Sequence, residues 1–228
     1  MIRLDKALAH LGYGSRKNVK ELIRKGFVKV NEEVITNDDY KVDLDAEILV
    51  YDETVKYEKF SYYIINKPSG YLSATISNNY PVVIELVPYR NGLFPVGRLD
   101  LDTEGLLLIT NDGLLAHNLL NPKKEVEKEY YFTYTGKLVS DAKERCLKGI
   151  NINDIYISKP AKLNIINDKE GYIIVTEGKY HEVKRIVKAL GGEVTYLKRI
   201  RMKNLVLGDL KLGEYRELNL EEVKELKE

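Results

Sequence analysis

The residues best suited to chemistry lie in one acidic loop, flanked by glycines, that directly precedes a run of apolar residues. The carboxylates of this loop, which spans residues 97–105, are Asp100, Asp102 and Glu104. Loops fixed by buried strands commonly carry catalytic groups, and a carboxylate can move a proton or stabilise positive charge that develops during bond cleavage. The spacing alone also allows a structural role, because Asp102 could organise a turn and Asp112 could cap the next helix.

Several other kinds of catalytic site are excluded by the sequence. It contains neither a Walker phosphate-binding loop nor a GxGxxG segment after a strand. The three histidines, His10, His117 and His181, are dispersed without metal-ligand spacing. Cys146 is the only cysteine, which excludes an internal disulfide and a multi-cysteine metal site. We therefore expect carboxylate chemistry at a site without a metal ion.

The elements that must position this loop mix strands and helices from about residue 60 onwards. The predicted strands are 62–66, 105–110, 130–135, 162–166 and 172–176. The predicted helices are 114–120, 140–147 and 181–190, which end at Asn121-Pro122, Gly149 and Gly191-Gly192. Because strands and helices do not alternate regularly, the sequence indicates an α+β domain rather than a doubly wound α/β sheet.

Residues 1–58 form a separate predicted domain, and its charges are segregated although the formal net charge of the chain is only +1. Apolar spacing predicts helices at 4–11 and from 16 onwards, the second capped by Ser15 and ended by Gly26, and then strands at 28–30, 34–35 and 48–51. Basic residues dominate 1–30 and acidic residues dominate 31–58. This pattern suggests a basic face for a polyanion, with the acidic strands turned elsewhere. Charge alone leaves a solvated helix face as an equal alternative.

The motifs of this first domain resemble the S4 RNA-binding domain across nearly its whole length. They are Arg3-Leu4-Asp5, Gly14-Ser15-Arg16, Leu22-Ile23, Gly26 and Val28-Lys29-Val30-Asn31. The resemblance implies two helices packed on a small bent sheet that docks on structured RNA. The RNA-binding residues that we expect are Arg3, Arg16, Lys17, Lys20, Arg24 and Lys29.

Four segments of the remainder, residues 59–228, resemble the ribosomal pseudouridine synthases. In chain order they are residues 62–70 (YYIINKPSG), 97–113 (with Gly97-Arg98-Leu99-Asp100 and Asn111-Asp112-Gly113), 128–130, and 177–185 (EGKYHEVKR). The resemblance implies a catalytic domain with a mainly antiparallel mixed sheet flanked by helices. It further implies that Asp100 is the catalytic aspartate, that Tyr130 is the active-site tyrosine, and that Lys184 stands where the family has a basic residue, often arginine.

The reaction implied by this resemblance explains why such residues are needed. Conversion of uridine to pseudouridine breaks the bond between C1′ and N1, turns the uracil and rejoins it through C5. An ionised Asp100 can stabilise or bond to C1′, but burial opposes ionisation unless a cation lies within about 4–6 Å, and we expect Lys184 to be that cation. We expect Tyr130 to stack on the extruded uracil. The further substrate-binding residues that we expect are Arg98, Lys67 and Arg185.

The resemblance also implies a substrate and a setting. One branch of the family modifies 16S rRNA at uridine 516, and two segments here are similar to that branch: Tyr180-His181 and Gly213-Glu214-Tyr215-Arg216. The expected partner is therefore 16S rRNA, free or within an assembling small ribosomal subunit. Basic residues near the C-terminus, Lys198, Arg199, Arg201 and Lys203, could widen the RNA path. A 23S rRNA synthase and a non-catalytic RNA-binding assembly factor remain as alternatives. No apolar stretch is long enough to span a membrane, and we expect a cytoplasmic monomer.

Overall fold

The computed structural model of the 228-residue chain describes residues 1–55, 57–153 and 156–228. The chain divides into two compact units. Unit 1 comprises Met1–Ser61 and Pro88–Leu93, and unit 2 comprises Tyr62–Val87 and Phe94–Glu228. Unit 1 thus receives a second, short segment of the chain in addition to its N-terminal part. Lys56, close to the predicted domain boundary at residue 58, lies outside the described residues.

The described residues of unit 1 form two helices and small antiparallel sheets. In chain order its elements are β1 (Ile2–Arg3), α1 (Leu4–His10), α2 (Arg16–Arg24), β2 (Val28–Val30), β3 (Glu33–Val34), β4 (Lys41–Val42), β5 (Ile48–Val50) and β6 (Glu53–Val55). One sheet has the order β3-β2-β5-β6, and β1 pairs with β4. Leu4 and Ile23 of the helices share one core with Ile48 of the sheet. The predicted cap of α2 is confirmed, because the Ser15 side chain accepts a hydrogen bond from the backbone N–H of Asn18.

Unit 2 is built on one large mixed sheet. Its elements in chain order are β7 (Tyr62–Lys67), β8 (Phe94–Pro95), β9 (Glu104–Thr110), α3 (Gly113–Leu120), β10 (Lys128–Gly136), α4 (Ala142–Lys148), β11 (Asn151–Asn153), β12 (Tyr156–Ile157), β13 (Lys162–Asn167), β14 (Glu170–Val175), α5 (Glu182–Ala189), β15 (Gly192–Met202), β16 (Leu205–Val206), β17 (Tyr215–Glu217) and α6 (Leu220–Lys227). The main sheet has the order β13-β14-β10-β15-β9-β7-β17. Its described pairs are antiparallel except for β9 with β15. The predicted α+β class is therefore confirmed.

Strand β9 fixes the end of the acidic loop. The four residues 106–109 are all 0% exposed, because the strand lies inside the sheet and is covered on both faces. Leu106 and Leu108 share a core with Leu115 of α3 and Leu226 of α6. The loop thus runs into a rigid strand, as its sequence predicts.

Gly105 allows β9 and β15 to approach closely. It has φ +106° and lies opposite Arg199 in the parallel pairing. A Cβ atom added at Gly105 would lie 2.2 Å from the backbone oxygen of Arg199 and 2.6 Å from its nitrogen. A glycine is therefore required both by the backbone conformation and by the space between the strands.

The predicted elements of unit 2 are confirmed to within two residues at each end, but the sequence analysis missed the 11-residue strand β15. Its basic residues had suggested an RNA path. Arg199 is instead 2% exposed, so this prediction is wrong for Arg199. Arg201 pairs with Glu127 and Glu129. Among the described residues, no helix is both long and apolar enough to cross a membrane.

Candidate active site

A recess of about 60 Å³ lies where the acidic loop meets β10 and the start of α5. Its polar lining consists of Arg98, Asp100, Thr103, Tyr130, Lys179, His181 and Glu182. The structure therefore brings the predicted catalytic aspartate and tyrosine to one place, although they lie on separate elements. Lys184, the third predicted catalytic residue, contacts the same loop from α5.

Lys184 joins two carboxylates of the acidic loop. Its Nζ lies 3.2 Å from Oδ2 of Asp100 and 2.7 and 2.9 Å from the carboxylate oxygens of Asp102. The side chain of Asp102 is 70% exposed, against 26% for Asp100. Burial alone would lower the pKa of Lys184, but hydrogen bonds and charges from Asp102 and Asp100 raise that pKa above its usual value. A charged ammonium therefore lies beside Asp100, at the distance that the sequence analysis requires.

His181 makes a second contact with Asp100, which the sequence analysis did not predict. Its Nε2 lies 3.6 Å from Oδ1 of Asp100. The residue immediately precedes α5 and has a left-handed backbone, with φ 52°, which is uncommon for a residue with a side chain. Its ring stacks on Tyr180 with centroids 3.8 Å apart. The turn into α5 thus holds an imidazole against the carboxylate.

Tyr130 lines the recess from β10 and is 9% exposed. Burial raises the pKa of its hydroxyl group, although the guanidinium of Arg199 acts in the opposite direction. Nε of Arg199 donates to the backbone oxygen of Leu106 at 2.7 Å, which ties β15 to β9 next to the recess. At neutral pH Tyr130 therefore offers a flat ring and a protonated O–H group.

Lys67 and Ser73 hold the backbone of the acidic loop. Nζ of Lys67 donates to three backbone oxygens at 2.8 to 3.3 Å, two of which belong to Leu101 and Thr103. Ser73 Oγ donates to the Leu99 oxygen at 3.1 Å and accepts the Leu99 N–H at 3.0 Å. Burial lowers the pKa of Lys67 to about 8. The sequence analysis assigned Lys67 to substrate binding, but its side chain is 0% exposed, so its position corresponds to support of the loop.

Glu182 is a buried carboxylate of the recess that the sequence analysis missed. It is 6% exposed, and its Oε2 accepts the backbone N–H of Lys179 at 3.3 Å. Burial and the neighbouring charge of Glu177 raise the pKa of Glu182 to about 7. A signal was available in the sequence, because Glu182 precedes the apolar Ile186 by four residues and so shares its face of the helix.

The two arginines predicted to bind substrate lie in different surroundings. Arg98 is exposed and lines the recess, and among the described residues no carboxylate lies within 4 Å of it. Arg185 instead lies with its guanidinium 5.3 Å from the centroid of the Tyr180 ring. Arg98 is therefore available to meet a phosphate at the recess, whereas Arg185 is engaged with an aromatic ring.

Four of the six predicted RNA-binding cations of unit 1 form ion pairs with carboxylates of the same unit. The described pairs are Arg3 with Asp5 and Asp39, Lys20 and Arg24 with Asp38, and Lys29 with Asp52. Within the part of the chain that the structure describes, Arg16 and Lys17 have no carboxylate within 4 Å. The prediction that the acidic residues turn elsewhere is therefore wrong, because several of them return to neutralise basic ones. We call Arg16, Lys17, Lys20 and Arg24 the α2 arc.

Two families match the chain, one in each part of the sequence. The S4 domain matches residues 2–48. The RNA pseudouridylate synthase family matches residues 61–204, a range that includes the acidic loop, Tyr130 and Lys184. A crystal structure of a pseudouridylate synthase covers 99% of this chain and 100% of its own, with 34% identity and a TM-score of 0.69.

Relatives match along nearly the whole chain. An uncharacterized RNA pseudouridine synthase of Bacillus subtilis is 44% identical over 100% of this chain and 99% of its own. The ribosomal small subunit pseudouridine synthase A of Haemophilus influenzae is 34% identical over 99% of both chains. The ribosomal large subunit pseudouridine synthase B of Bacillus subtilis is 37% identical over 100% of this chain and 96% of its own. Small-subunit and large-subunit proteins are thus similar to the chain to nearly the same degree.

Proposed function

The chain belongs to the RNA pseudouridylate synthase family and carries an S4 domain, and on this basis we propose that it converts one uridine of 16S ribosomal RNA to pseudouridine. Asp100 is the catalytic aspartate, Tyr130 and Lys184 are its partners, and no cofactor takes part. The observation that carries this proposal is the position of Asp100, which lines the recess together with Tyr130 and lies 3.2 Å from the Lys184 ammonium.

Asp100 suits the bond that must break. Cleavage between C1′ and N1 leaves positive charge at C1′, and a fixed carboxylate can stabilise that charge or bond to the carbon. Electrostatic stabilisation is stronger where water is partly excluded, and the Asp100 side chain is only 26% exposed. Lys184 supplies the compensating positive charge when no substrate is bound.

Tyr130 and Arg98 suit an extruded nucleotide. The Tyr130 ring can stack on the uracil, and its protonated hydroxyl can donate a hydrogen bond during the proton movement from C5 to N1. Arg98 has no carboxylate partner in the described structure and can form a charge-assisted hydrogen bond with a phosphate next to the target. Unit 1 then holds structured RNA through phosphate contacts of the α2 arc.

The choice of 16S rRNA is supported by the small-subunit relative, which matches 99% of the chain, and by the Tyr180-His181 and 213–216 segments. The large-subunit relative, at 37% identity, supports 23S rRNA as the second candidate. A binding protein without catalysis is disfavoured because Asp100 and Tyr130 line one recess and Lys184 lies 3.2 Å from Asp100.

Incubation of the purified protein with 16S and 23S transcripts, each bare and protein-bound, tests the proposal. Pseudouridine is then mapped at single-nucleotide resolution, and we expect one modified uridine in 16S RNA. A single site in 23S RNA would replace the 16S assignment with the second candidate. RNA binding without any pseudouridine in the four substrates would contradict the enzymatic proposal.

A further inference from the structure

Glu182 is a polar residue of the recess that the proposed reaction does not use. It lines the same recess as Asp100 and Tyr130 and is 6% exposed. Among the described residues, no ammonium or guanidinium group lies within 4 Å of its carboxylate. Leaving a buried carboxylate without a contacting cation is costly, so the site requires an explanation.

The hydrogen bonding of Glu182 leaves one oxygen available. Oε2 accepts the Lys179 N–H at 3.3 Å, which orients the carboxylate on the turn into α5. Within the described structure Oε1 has no hydrogen-bond partner, and it is not among the fully buried unpaired atoms. Because the residue lines the recess, Oε1 is an acceptor that a ligand in the recess can reach.

Uracil offers a donor that fits this acceptor. Its N3–H lies between the two carbonyl groups of the ring, opposite C6. A half-turn of the ring about the axis through N3 and C6 exchanges N1 with C5 and O2 with O4, which is the movement that pseudouridine formation requires. N3–H lies on this axis and is the polar group that keeps its place throughout the turn.

We propose that Glu182 is a substrate-orienting residue that accepts the N3–H of the extruded uracil and serves as the fixed point about which the detached ring turns. This inference rests on the proposed function. Glu182 touches the base at the end opposite the reacting atoms, while Asp100 meets C1′. The carboxylate would also prevent the free uracil from leaving, because departure would again leave a desolvated acceptor without a partner.

The test combines variants of Glu182 with a methyl group on N3 of the target. Short transcripts carry either uridine or 3-methyluridine at the modified position, and kcat/KM and RNA affinity are measured at pH 8 for wild type, Glu182→Gln and Glu182→Met. A methyl group on N3 should reduce wild-type kcat/KM by roughly 10²-fold or more while RNA affinity stays unchanged. Glu182→Gln keeps one acceptor oxygen, which can serve N3–H only if the bond from the Lys179 N–H is given up, so this variant should retain more activity than Glu182→Met and most of the methyl penalty.

Glu182→Met removes the acceptor and should lower turnover of uridine by roughly 10²-fold, while the methyl penalty shrinks to a few-fold. The matched control is Glu177→Met, because Glu177 is also buried but both its oxygens already accept bonds, from Tyr156 and from the Lys159 N–H. That variant should keep the full methyl penalty whatever happens to its stability.

Two results would overturn the inference and leave the proposed function intact: wild type that modifies 3-methyluridine as fast as uridine, or Glu182→Met with the wild-type penalty. If Glu182→Met does not fold, turnover of 3-methyluridine by wild type at the rate of uridine would still overturn the inference. Absence of turnover by wild type on either ribosomal RNA would reject the proposed function, and this inference with it.

Discussion

The recess of unit 2 and the α2 arc of unit 1 both depend on charged side chains, but these side chains differ in how exposed they are to solvent. Beside the recess one ammonium pairs with two carboxylates, Asp100 and Asp102, and the Lys184 side chain is only 23% exposed. In the arc, Arg24 is 66% exposed and pairs with Asp38 of its own unit. Charges at partly buried sites interact strongly, whereas exposed pairs contribute little and are screened by salt. Substitutions in the recess should therefore change the reaction rate in large steps, and substitutions in the arc should change RNA affinity in small ones.

The largest effect is expected for Asp100→Asn. The substitution keeps the size of the side chain and removes the charge that C1′ requires, so kcat for pseudouridine formation should fall by on the order of 10⁴-fold or more. RNA affinity should stay within about three-fold, because phosphate contacts dominate it. Substantial turnover by this variant, measured by single-turnover kinetics, would remove Asp100 from its assigned role.

A smaller effect is expected for Lys184→Met, with Asp102→Asn as the matched control. Lys184→Met leaves Asp100 in a partly buried site with His181 as the only described basic group within 4 Å, and kcat/KM should fall by roughly 10²-fold. Asp102 shares the same ammonium but is 70% exposed, so its neutralisation should change the rate by no more than about three-fold. Equal losses in the two variants would mean that the pair with Asp102, rather than that with Asp100, matters for the reaction.

In the arc, Arg16→Glu with Lys17→Glu should weaken RNA binding by about 10-fold and flatten its salt dependence, because these cations have no carboxylate partner in the described structure. The matched double reversal of Lys20 and Arg24 should weaken binding less, since Asp38 already neutralises part of their charge. Filter binding across a salt series measures both. A larger loss for the second pair would show that the ion pairs with Asp38 open when RNA binds.

The smallest effect concerns stability. The pKa of Glu182 is about 7 in the folded protein and lower in the unfolded chain, so the folded state retains the proton better, and this stabilisation is lost as pH rises through 7. Glu182→Gln avoids the loss and should be more stable than wild type at pH 8, by on the order of 3 kcal/mol at most, because one pKa unit corresponds to about 1.4 kcal/mol.

The gain from Glu182→Gln should shrink as the pH falls and vanish near pH 4, below the ordinary pKa of a glutamate, and thermal unfolding at pH 8 and pH 4 measures it. Glu21→Gln on unit 1 is the exposed control. Because the hydrogen bond with Lys25 lowers the pKa of Glu21, that variant should show no gain at pH 8. A gain of Glu182→Gln that is independent of pH would mean that the carboxylate is not the cause.

The sequence predicted individual elements better than it predicted which residues meet. Asp100, Tyr130 and Lys184 could be named because each lies in a segment with recognisable motifs. Their convergence depends on the sheet order β10-β15-β9, and β15 itself was missed because its alternating residues include a buried arginine, Arg199, where a strand pattern requires an apolar one.

The sequence analysis also did not predict several contacts made by residues from distant segments. His181 and Glu182 were missed because charge and polarity at the start of a helix usually indicate solvent exposure, although the spacing from Glu182 to Ile186 placed Glu182 on the buried face. Asp38 was expected to lie apart from the basic helix, and only the folded chain shows that the turn at residues 37–39 returns to Lys20 and Arg24. Such ion pairs join residues that are far apart in the sequence, so no local residue pattern predicts them.

Gly105 limits which amino-acid substitutions the enzyme can tolerate. It does not line the recess, yet any larger residue would push β9 away from β15 by contact with the Arg199 backbone. The acidic loop leaves from one of these strands, and the other is bonded to the strand of Tyr130. In a mutational scan for enzymatic activity, position 105 would therefore be as intolerant as the chemical groups themselves, through geometry alone.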